Sequence, residues 1–313
     1  MFCLTKFEEI FGCIDVVSYD QSYSIQICTN RDCLGTLFID RILKILEIEN
    51  PIDLYPPGPG TDLSRLHRAV NDTSGTDHHK FSIFYYVFLD IDKITNKDRY
   101  SKAFEQKFLL PKKYQILMKG LWLMDHQEFE LALQFITHPS LIPSFSDEIL
   151  EVLVENSNND LNLPLIYYHT VQPTLNTKRA MDCLFSALAR QSVTDAFYFS
   201  RTQNEFFQKY IFEMLVKIVI GDSSHDIKAH RCLELVNLPF TPQEDNWFCN
   251  YLLHGEGKLL DGAKDTYMMR LVGTGRFSEF LSVEDINTKS INELNWGILS
   301  NTVKSGLGPR SGP

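Results

Sequence analysis

The stretch at residues 117–134, LMKGLWLMDHQEFELALQ, contains two apolar segments separated by an Asp–His pair. Apolar residues in and just before the first segment recur three and four apart, the spacing of one helix face, and they are Tyr114, Leu117, Met118, Leu121 and Trp122. A second set of this kind begins at Phe129. The pair therefore predicts a break between two helices. Trp122 is predicted to be a core residue that holds the two helices together.

Asp125 and His126 could also be interpreted as a catalytic pair. Adjacent residues on a helix point about 100° apart, so neither side chain would orient the other there. A dyad also needs a nucleophile or a metal brought close by the fold. Asp125 can instead cap the helix that follows it, and Asn would cap it about as well. We predict no catalytic role for the pair and no enzymatic activity for the chain.

Helix signals continue along the chain. Thr202 followed by Glu205, and Thr241 followed by Glu244, have the spacing of a capping box. Between residues 98 and 254 the pattern indicates roughly ten helices joined by short loops, which is typical of antiparallel helix pairs. No fixed-length repeat is present, so a regular repeat array is not predicted. We expect an all-α fold, an irregular α-helical solenoid or stack of antiparallel helix pairs.

Two stretches test this expectation. The segment SYSIQICT at residues 22–29 alternates apolar and polar residues and is the best strand candidate. The segment FSIFYYVFLD at residues 81–90 fits either a buried strand or a buried helix, and its helical neighbours favour a helix.

The composition of the chain predicts three parts. Residues 1–54 form an N-terminal segment, partly helical, that packs on the domain, and residues 55–254 form the helical domain. The Pro- and Gly-rich stretch at residues 50–62 is typical of a rigid, extended connector. The helical pattern weakens after Gly255, so residues 255–313 are predicted to be a largely extended tail. Because this tail keeps apolar residues, we expect it to dock on a partner subunit with Trp296 as its anchor.

Charge and composition exclude several classes of function. The chain has 30 Lys and Arg against 40 Asp and Glu, a net charge of −10, which argues against a nucleic-acid-binding surface. Seven scattered cysteines indicate a reducing compartment rather than a disulfide framework. The longest apolar run falls far short of the ~20 residues that a membrane span needs. Cys28 and Cys33 have no second pair at ligand spacing, and His78 and His79 fit an exposed loop. We expect no metal, no cofactor and no small-molecule substrate.

Five segments carry a resemblance to a known family. They are YPPGPGTDLSRLHRAV (residues 55–70), HHKFSIFYYVFLDID (78–92), KGLWLMDHQEFELALQFITHPSL (119–141), VTDAFYFSR (193–201) and VNLPFTPQEDNWFCNYL (236–252). In this order they resemble the ELYS-like domain of nuclear pore complex assembly proteins, over roughly residues 36 to 254. In the middle segment Gly120, Trp122 and Asp125 stand as that family's pattern has them. Arg201 fits the pattern of its later helix.

The resemblance implies a helical nucleoporin located at the nuclear envelope, in the nuclear pore complex. Its partners would be other nucleoporins of the Y-shaped outer-ring complex, and its role would be pore assembly and transport of protein and mRNA. The Trp122 and Asp125 segment would be a structural joint between helices. Larger family members add a β-propeller and a chromatin-binding region with AT-hooks. This sequence has no Arg-Gly-Arg-Pro core, so we expect a short form that does not bind chromatin or other nucleic acid.

An alternative function remains open at this point. The same helical pattern would suit an adaptor subunit of another assembly, such as a vesicle coat. The proteins that co-purify with the chain distinguish the two.

Overall fold

The computed structural model describes residues 6–12, 19–58, 62–156, 160–221, 225–283 and 295–306. Across these ranges every regular element is a helix, and no strand is present. The all-α prediction is therefore confirmed. The chain divides into two compact units, Met1–Met181 and Asp182–Pro313.

Eleven helices begin among the described residues of the first unit, and a 3-10 turn (Pro51–Asp53) follows the third. The helices are α1 (Phe7–Phe11), α2 (Gln21–Leu34), α3 (Phe38–Ile45), α4 (Asp62–Asn71), α5 (Asp77–Thr95), α6 (Tyr100–Phe108), α7 (Lys112–Asp125), α8 (Phe129–Ile136), α9 (Ser146–Asn156), α10 (Asn162–Val171) and α11 (Lys178–Gln191). The boundary between the two units falls within α11. Short loops join most neighbours, and α7 and α8 pack against each other across a three-residue loop.

Helix α5 is the centre of the first unit. It contacts α3, α4, α6 and α7, and every residue from Phe81 to Asp92 is buried. A helix that is apolar on all sides needs such an environment, because no face of it can be left in water. The prediction of a buried helix for residues 81–90 is therefore confirmed.

The strand candidate at residues 22–29 is not a strand, because these residues belong to α2. Asp20 begins the helix by accepting the Tyr23 N–H on its side chain, at 2.6 Å. Tyr23 and Ile27, four residues apart, are buried, whereas Ile25 between them is exposed. The apparent alternation is thus a helical spacing in which one apolar residue faces solvent.

The Pro- and Gly-rich connector is packed against the first unit over its described residues. The stretch forms the 3-10 turn at Pro51–Asp53 and then places Tyr55 in the core, 1% exposed. Residues 59–61 of the stretch lie outside the described residues.

Among its described residues the second unit contains seven further helices and a second 3-10 turn (Glu256–Leu259). The helices are α12 (Val193–Thr202), α13 (Glu205–Gly221), α14 (His225–Asn237), α15 (Pro242–Leu253), α16 (Ala263–Gly273), α17 (Phe277–Ser282) and α18 (Trp296–Lys304). The predicted capping box of α15 is present, with Thr241 and Glu244 each accepting the other's backbone N–H.

The prediction of a largely extended tail is wrong for α16, α17 and α18. Leu271 and Phe280 are fully buried, so the tail contributes to the core of the second unit. Arg270 of α16 is buried too, and its Nη1 donates to the carbonyl oxygens of Val236 and Leu238, both at 2.6 Å. Residues 284–294 and 307–313 lie outside the described residues, with Ile291 and Leu294 among them. The segment boundaries at residues 54 and 254 stay predictions.

Leu271→Ala tests whether the tail belongs to the fold of the chain itself. Leu271 is 0% exposed, and truncating a buried Leu removes its packing and leaves a cavity. We expect the free energy of unfolding to fall by about 2–5 kcal/mol, measured by chemical denaturation of the isolated chain. Leu259→Ala is the matched control, because Leu259 is 91% exposed and should change little. Equal stability of the two variants would contradict the core role of α16.

Candidate functional site

Asp90 of α5 is the centre of a buried polar cluster in the first unit. Its carboxyl group accepts the Nε1–H of Trp122, at 2.7 Å, and the hydroxyls of Tyr19, Tyr23 and Tyr55, at 2.7, 2.8 and 2.8 Å. Asp90 itself is fully buried. A buried carboxyl group is tolerated only where donors replace the water that it has lost. Asp90 therefore connects α5 with α2, with α7 and with the segment after the 3-10 turn.

His126 closes this cluster without facing solvent. Its Nδ1 lies 2.8 Å from the carbonyl oxygen of Trp122, and a carbonyl only accepts, so Nδ1 carries a proton. Burial lowers the pKa of His126, which leaves Nε2 unprotonated as an acceptor. Nε2 lies 2.9 Å from the Tyr23 hydroxyl, whose single proton is thus shared between His126 and Asp90. The polar atoms of His126 are therefore used in hydrogen bonds within the chain, and the side chain is buried.

Asp125 caps α3 rather than α8. Its Oδ1 accepts the backbone N–H of Phe38 at 2.6 Å, and its Oδ2 accepts that of Ile39 at 3.1 Å. Oδ2 also accepts the Tyr86 hydroxyl at 2.8 Å. The expectation that Asp125 caps the following helix is wrong, because α8 begins after Glu128, which makes no side-chain cap. The first amides of α3 bind this carboxyl group because they have no acceptor within their own helix.

Opposing effects act on the pKa of Asp125. Burial raises it, and the hydrogen bonds from Phe38, Tyr86 and Ile39 lower it. Burial dominates, and the pKa rises from the ordinary 3.8 to about 7.

The close contact between α7 and α8 depends on Gly120. A Cβ atom at this position would lie 2.6 Å from Cγ2 of Ile136 and 3.2 Å from Cβ of Phe135. Any larger residue would therefore push the two helices apart. The Trp122 and Asp125 segment and the close approach at Gly120 together form one joint between helices.

Arg201 joins α12 to α15 in the second unit. Its guanidinium group donates to both carboxylate oxygens of Glu244, at 2.9 and 2.7 Å, and to the carbonyl oxygen of Pro239 at 2.8 Å. The group also lies 4.3 Å from the ring centroid of Phe197. Burial alone would raise the pKa of Glu244, but the hydrogen bonds from Arg201 and Thr241 outweigh it and lower that pKa.

Trp296 lies at the start of α18 and is half-buried against its own unit. Its Nε1–H donates to Oδ1 of Asp265 at 2.7 Å, and its ring centroid lies 6.1 Å from that of Phe280. These contacts attach α18 to α16 and α17. The role of Trp296 as an anchor for a partner stays a prediction.

His78 and His79 lie in the first turn of α5 and not in a loop, and both are exposed. His78 stacks on Tyr114, with ring centroids 5.7 Å apart. In the part of the chain that the structure describes, no three His, Cys, Asp or Glu side chains are grouped so that they could hold a metal ion. No described helix combines the length and the apolar character that crossing a membrane requires.

The sequence reasoning missed Asp90 and its tyrosine donors. A usable signal was present, since Asp90 directly follows the apolar run at residues 83–89. A carboxyl group inside a buried helix must find hydrogen-bond donors. Which donors it finds depends on segments up to 71 residues away, and local spacing does not reveal them.

The first two turns of α13 carry exposed aromatic side chains. Phe206 is 94% exposed, Phe207 is 48% exposed, and Tyr210 is 37% exposed. Phe206 and Tyr210 are four residues apart and so lie on the same side of the helix. We call Phe206, Phe207 and Tyr210 the α13 aromatic surface. An exposed apolar surface is a candidate interaction site.

The chain is similar to a known protein family over most of its length. The model of the ELYS family, described as nuclear pore complex assembly, matches residues 36–255, well over half of the chain. The chain belongs to the ELYS family. The predicted resemblance is thereby confirmed, and the protein is a nucleoporin-type scaffold of the nuclear pore complex with a role in pore assembly.

Three individual proteins are also similar to this chain in sequence. The Schizosaccharomyces pombe protein ely5, which is described as uncharacterized, is 26% identical over 246 residues, covering 76% of this chain and 78% of that protein. Protein ELYS of Xenopus laevis is 25% identical over 71% of this chain, and protein ELYS of Homo sapiens is 25% identical over 72% of it. The matched region spans only 9% of the Xenopus protein and 10% of the human protein.

Asp125→Asn tests the cap on α3. In the wild type each oxygen of the Asp125 carboxyl group accepts a hydrogen bond. An Asn side chain has only one oxygen, so its NH₂ group would face a donor in place of the second oxygen. We therefore expect Asn to cap α3 less well than Asp at this site. We expect the free energy of unfolding to fall by about 1–3 kcal/mol, the cost of an unsatisfied buried donor. Asp53→Asn, at an exposed position, is the control, and equal effects of both changes would refute the cap.

The raised pKa of Asp125 has a measurable effect on stability. Because its pKa in the folded chain, about 7, exceeds the ordinary 3.8, the folded chain holds this proton more tightly than the unfolded chain. The contribution of Asp125 is fully present below its unfolded pKa and is lost as the pH rises through about 7. Denaturation of the wild type and of Asp125→Asn across this range should show the wild-type advantage shrinking with rising pH. An advantage that grows with pH would contradict the raised pKa.

Proposed function

We propose that this protein is a scaffold subunit that attaches to the Y-shaped outer-ring complex of the nuclear pore, and that it supports pore assembly and transport of protein and mRNA. The family match over residues 36–255 carries the proposal. The matched region contains helices α3 to α15. The much longer ELYS proteins of Xenopus and human are similar to 71% and 72% of this chain.

The role that we propose is structural and not catalytic. Asp125 and His126, the residues that most resemble a catalytic pair, are both buried, and their polar atoms bond to their own chain. Each of them fixes helices in place. This use of polar side chains supports a rigid scaffold, which must keep its binding surfaces in a constant arrangement.

We assign contact with an outer-ring nucleoporin to the α13 aromatic surface. Phe206 is almost completely exposed, and leaving a Phe ring in water is unfavourable unless another surface covers it. Buried aromatic residues supply much of the binding energy at protein interfaces. Phe206 would therefore be the main anchor, with Phe207 and Tyr210 beside it.

Affinity purification of the tagged chain from cells tests the proposed attachment. Outer-ring nucleoporins should be the principal proteins recovered, as identified by mass spectrometry. Recovery of vesicle-coat subunits in their place would contradict the proposal and support an adaptor role in a coat.

Phe206→Ser tests the assigned contact surface. We expect the recovery of outer-ring nucleoporins to fall at least about tenfold, because losing a central aromatic anchor costs 2 kcal/mol or more. The melting temperature should stay the same, since Phe206 makes almost no contact with its own chain. Leu259→Ser is the matched control, at a position that is 91% exposed in the same unit. Equal recovery with both variants would rule out the α13 aromatic surface as the contact.

A further inference from the structure

The first unit contains an apolar groove beside the loop between α8 and α9. It has a volume of about 390 Å³. Six of the side chains along it are Leu117, Ile136, Ile142, Ile149, Tyr167 and Val171. Pockets of roughly 300–1,000 Å³ with largely apolar walls are typical of ligand-binding sites. The groove therefore has room for several side chains of a bound segment.

Ile142 makes this groove energetically unusual. It lies at the rim and is 82% exposed, although Ile side chains are among those most often buried. A segment seated in the groove would cover Ile142 and remove this apolar surface from water.

The chain segment that forms most of the groove is acidic. Residues 120–177, which supply nearly all of its walls, contain eight Asp and Glu and no Lys or Arg. A neighbouring pocket shares Pro143 with the groove and is lined by Asp147, Glu148 and Glu151.

Two of the three acids in that pocket already have partners. Asp147 accepts the backbone N–H of Thr177 at 2.7 Å, and Glu151 pairs with Arg179 at 3.5 Å. Among the described residues, no cation pairs with Glu148. Near Pro143, Glu148 thus provides a negative charge that suits a basic side chain.

We propose that this groove binds a short peptide segment of a partner protein, with a bulky apolar side chain seated beside Ile142 and a Lys or Arg beside Glu148. The apolar walls account for the first feature, and the lack of any Lys or Arg over residues 120–177 accounts for the second. A second copy of this chain is a poor occupant, because its net charge is −10. The inference rests on the proposed function only for the identity of the partner.

A random library of peptides of about nine residues, tested by fluorescence polarisation against the full chain, identifies the preferred occupant without assuming any partner. Peptides with a Leu, Phe or Trp close to a Lys or Arg should bind best. Raising the salt from about 0.05 M to about 0.3 M should weaken them, because the charge contacts are partly exposed.

Three variants show whether binding uses the groove. Ile142→Asp should lower the affinity of the best peptide at least about tenfold, because a buried contact is replaced by a charge. Glu148→Gln should lower it by about twofold to fivefold, as expected for a partly exposed ion pair. Ile166→Asp is the control, since Ile166 lies on α10 beside Tyr167 and is exposed but does not line the groove. This variant should bind as the wild type does.

The possible results separate the two proposals. Absence of peptide binding, selection of acidic peptides, or equal binding by Ile142→Asp and Ile166→Asp would each overturn the groove proposal while the pore attachment stood. Groove-dependent peptide binding by a chain that recovers no nucleoporins from cells would support the groove and refute the attachment. Thermal unfolding of each variant shows that any loss of binding is not a loss of fold.

Discussion

The carboxyl group of Asp90 is the contact on which the arrangement of the first unit depends most. It is fully buried and receives four hydrogen bonds from residues between Tyr19 and Trp122 in the sequence. If any one of these segments moved away, the carboxyl group would lose a donor in surroundings where water does not replace it. The helices that supply the donors are therefore held in one arrangement and not merely gathered by apolar contact.

At several other positions an acidic side chain accepts a hydrogen bond from the start of a helix other than its own. Asp125 caps α3, and Asp92 of α5 accepts the N–H of Tyr100 at the start of α6, at 2.8 Å. Glu234 accepts the N–H of Thr194 in the first turn of α12, at 3.0 Å. Each contact satisfies an amide that a helix leaves open at its N-terminus, and each also fixes one helix against another. Part of the acidic excess of the chain is thus used in its interior.

The sequence predicts those features of the fold that depend on residues close together in the chain. The capping box at Thr241 and Glu244 and the buried run at residues 81–90 follow local rules, and both are present. The capping box at Thr202 and Glu205 is wrong, because Thr202 ends α12 and Asn204 caps α13. The strand candidate at residues 22–29 failed because apolar residues spaced by two and by four look alike over a short window. The helices of the tail were missed because the features that bury α16, such as the contacts of Arg270 with Val236 and Leu238, lie 32 to 34 residues away.

The joint between α7 and α8 was likewise predicted only in its local features. The break between α7 and α8 was predicted from Asp125 and His126, and the use of Asp125 at α3 was not. The preference of an acid for a helix N-terminus is local knowledge, but the identity of that helix is set by tertiary packing. The four donors to Asp90 were beyond sequence reasoning for the same reason.

The cap on α3 also determines when that helix can be completed during synthesis. Phe38 leaves the ribosome 87 residues before Asp125, and at common translation rates this separation corresponds to about 4 to 17 s. Until then the first amides of α3 lack the carboxyl group of Asp125, and Asp90 lacks its donor until Trp122 has been made. The N-terminal helices are thus made first, but they reach their final state only after α7 has emerged and docked.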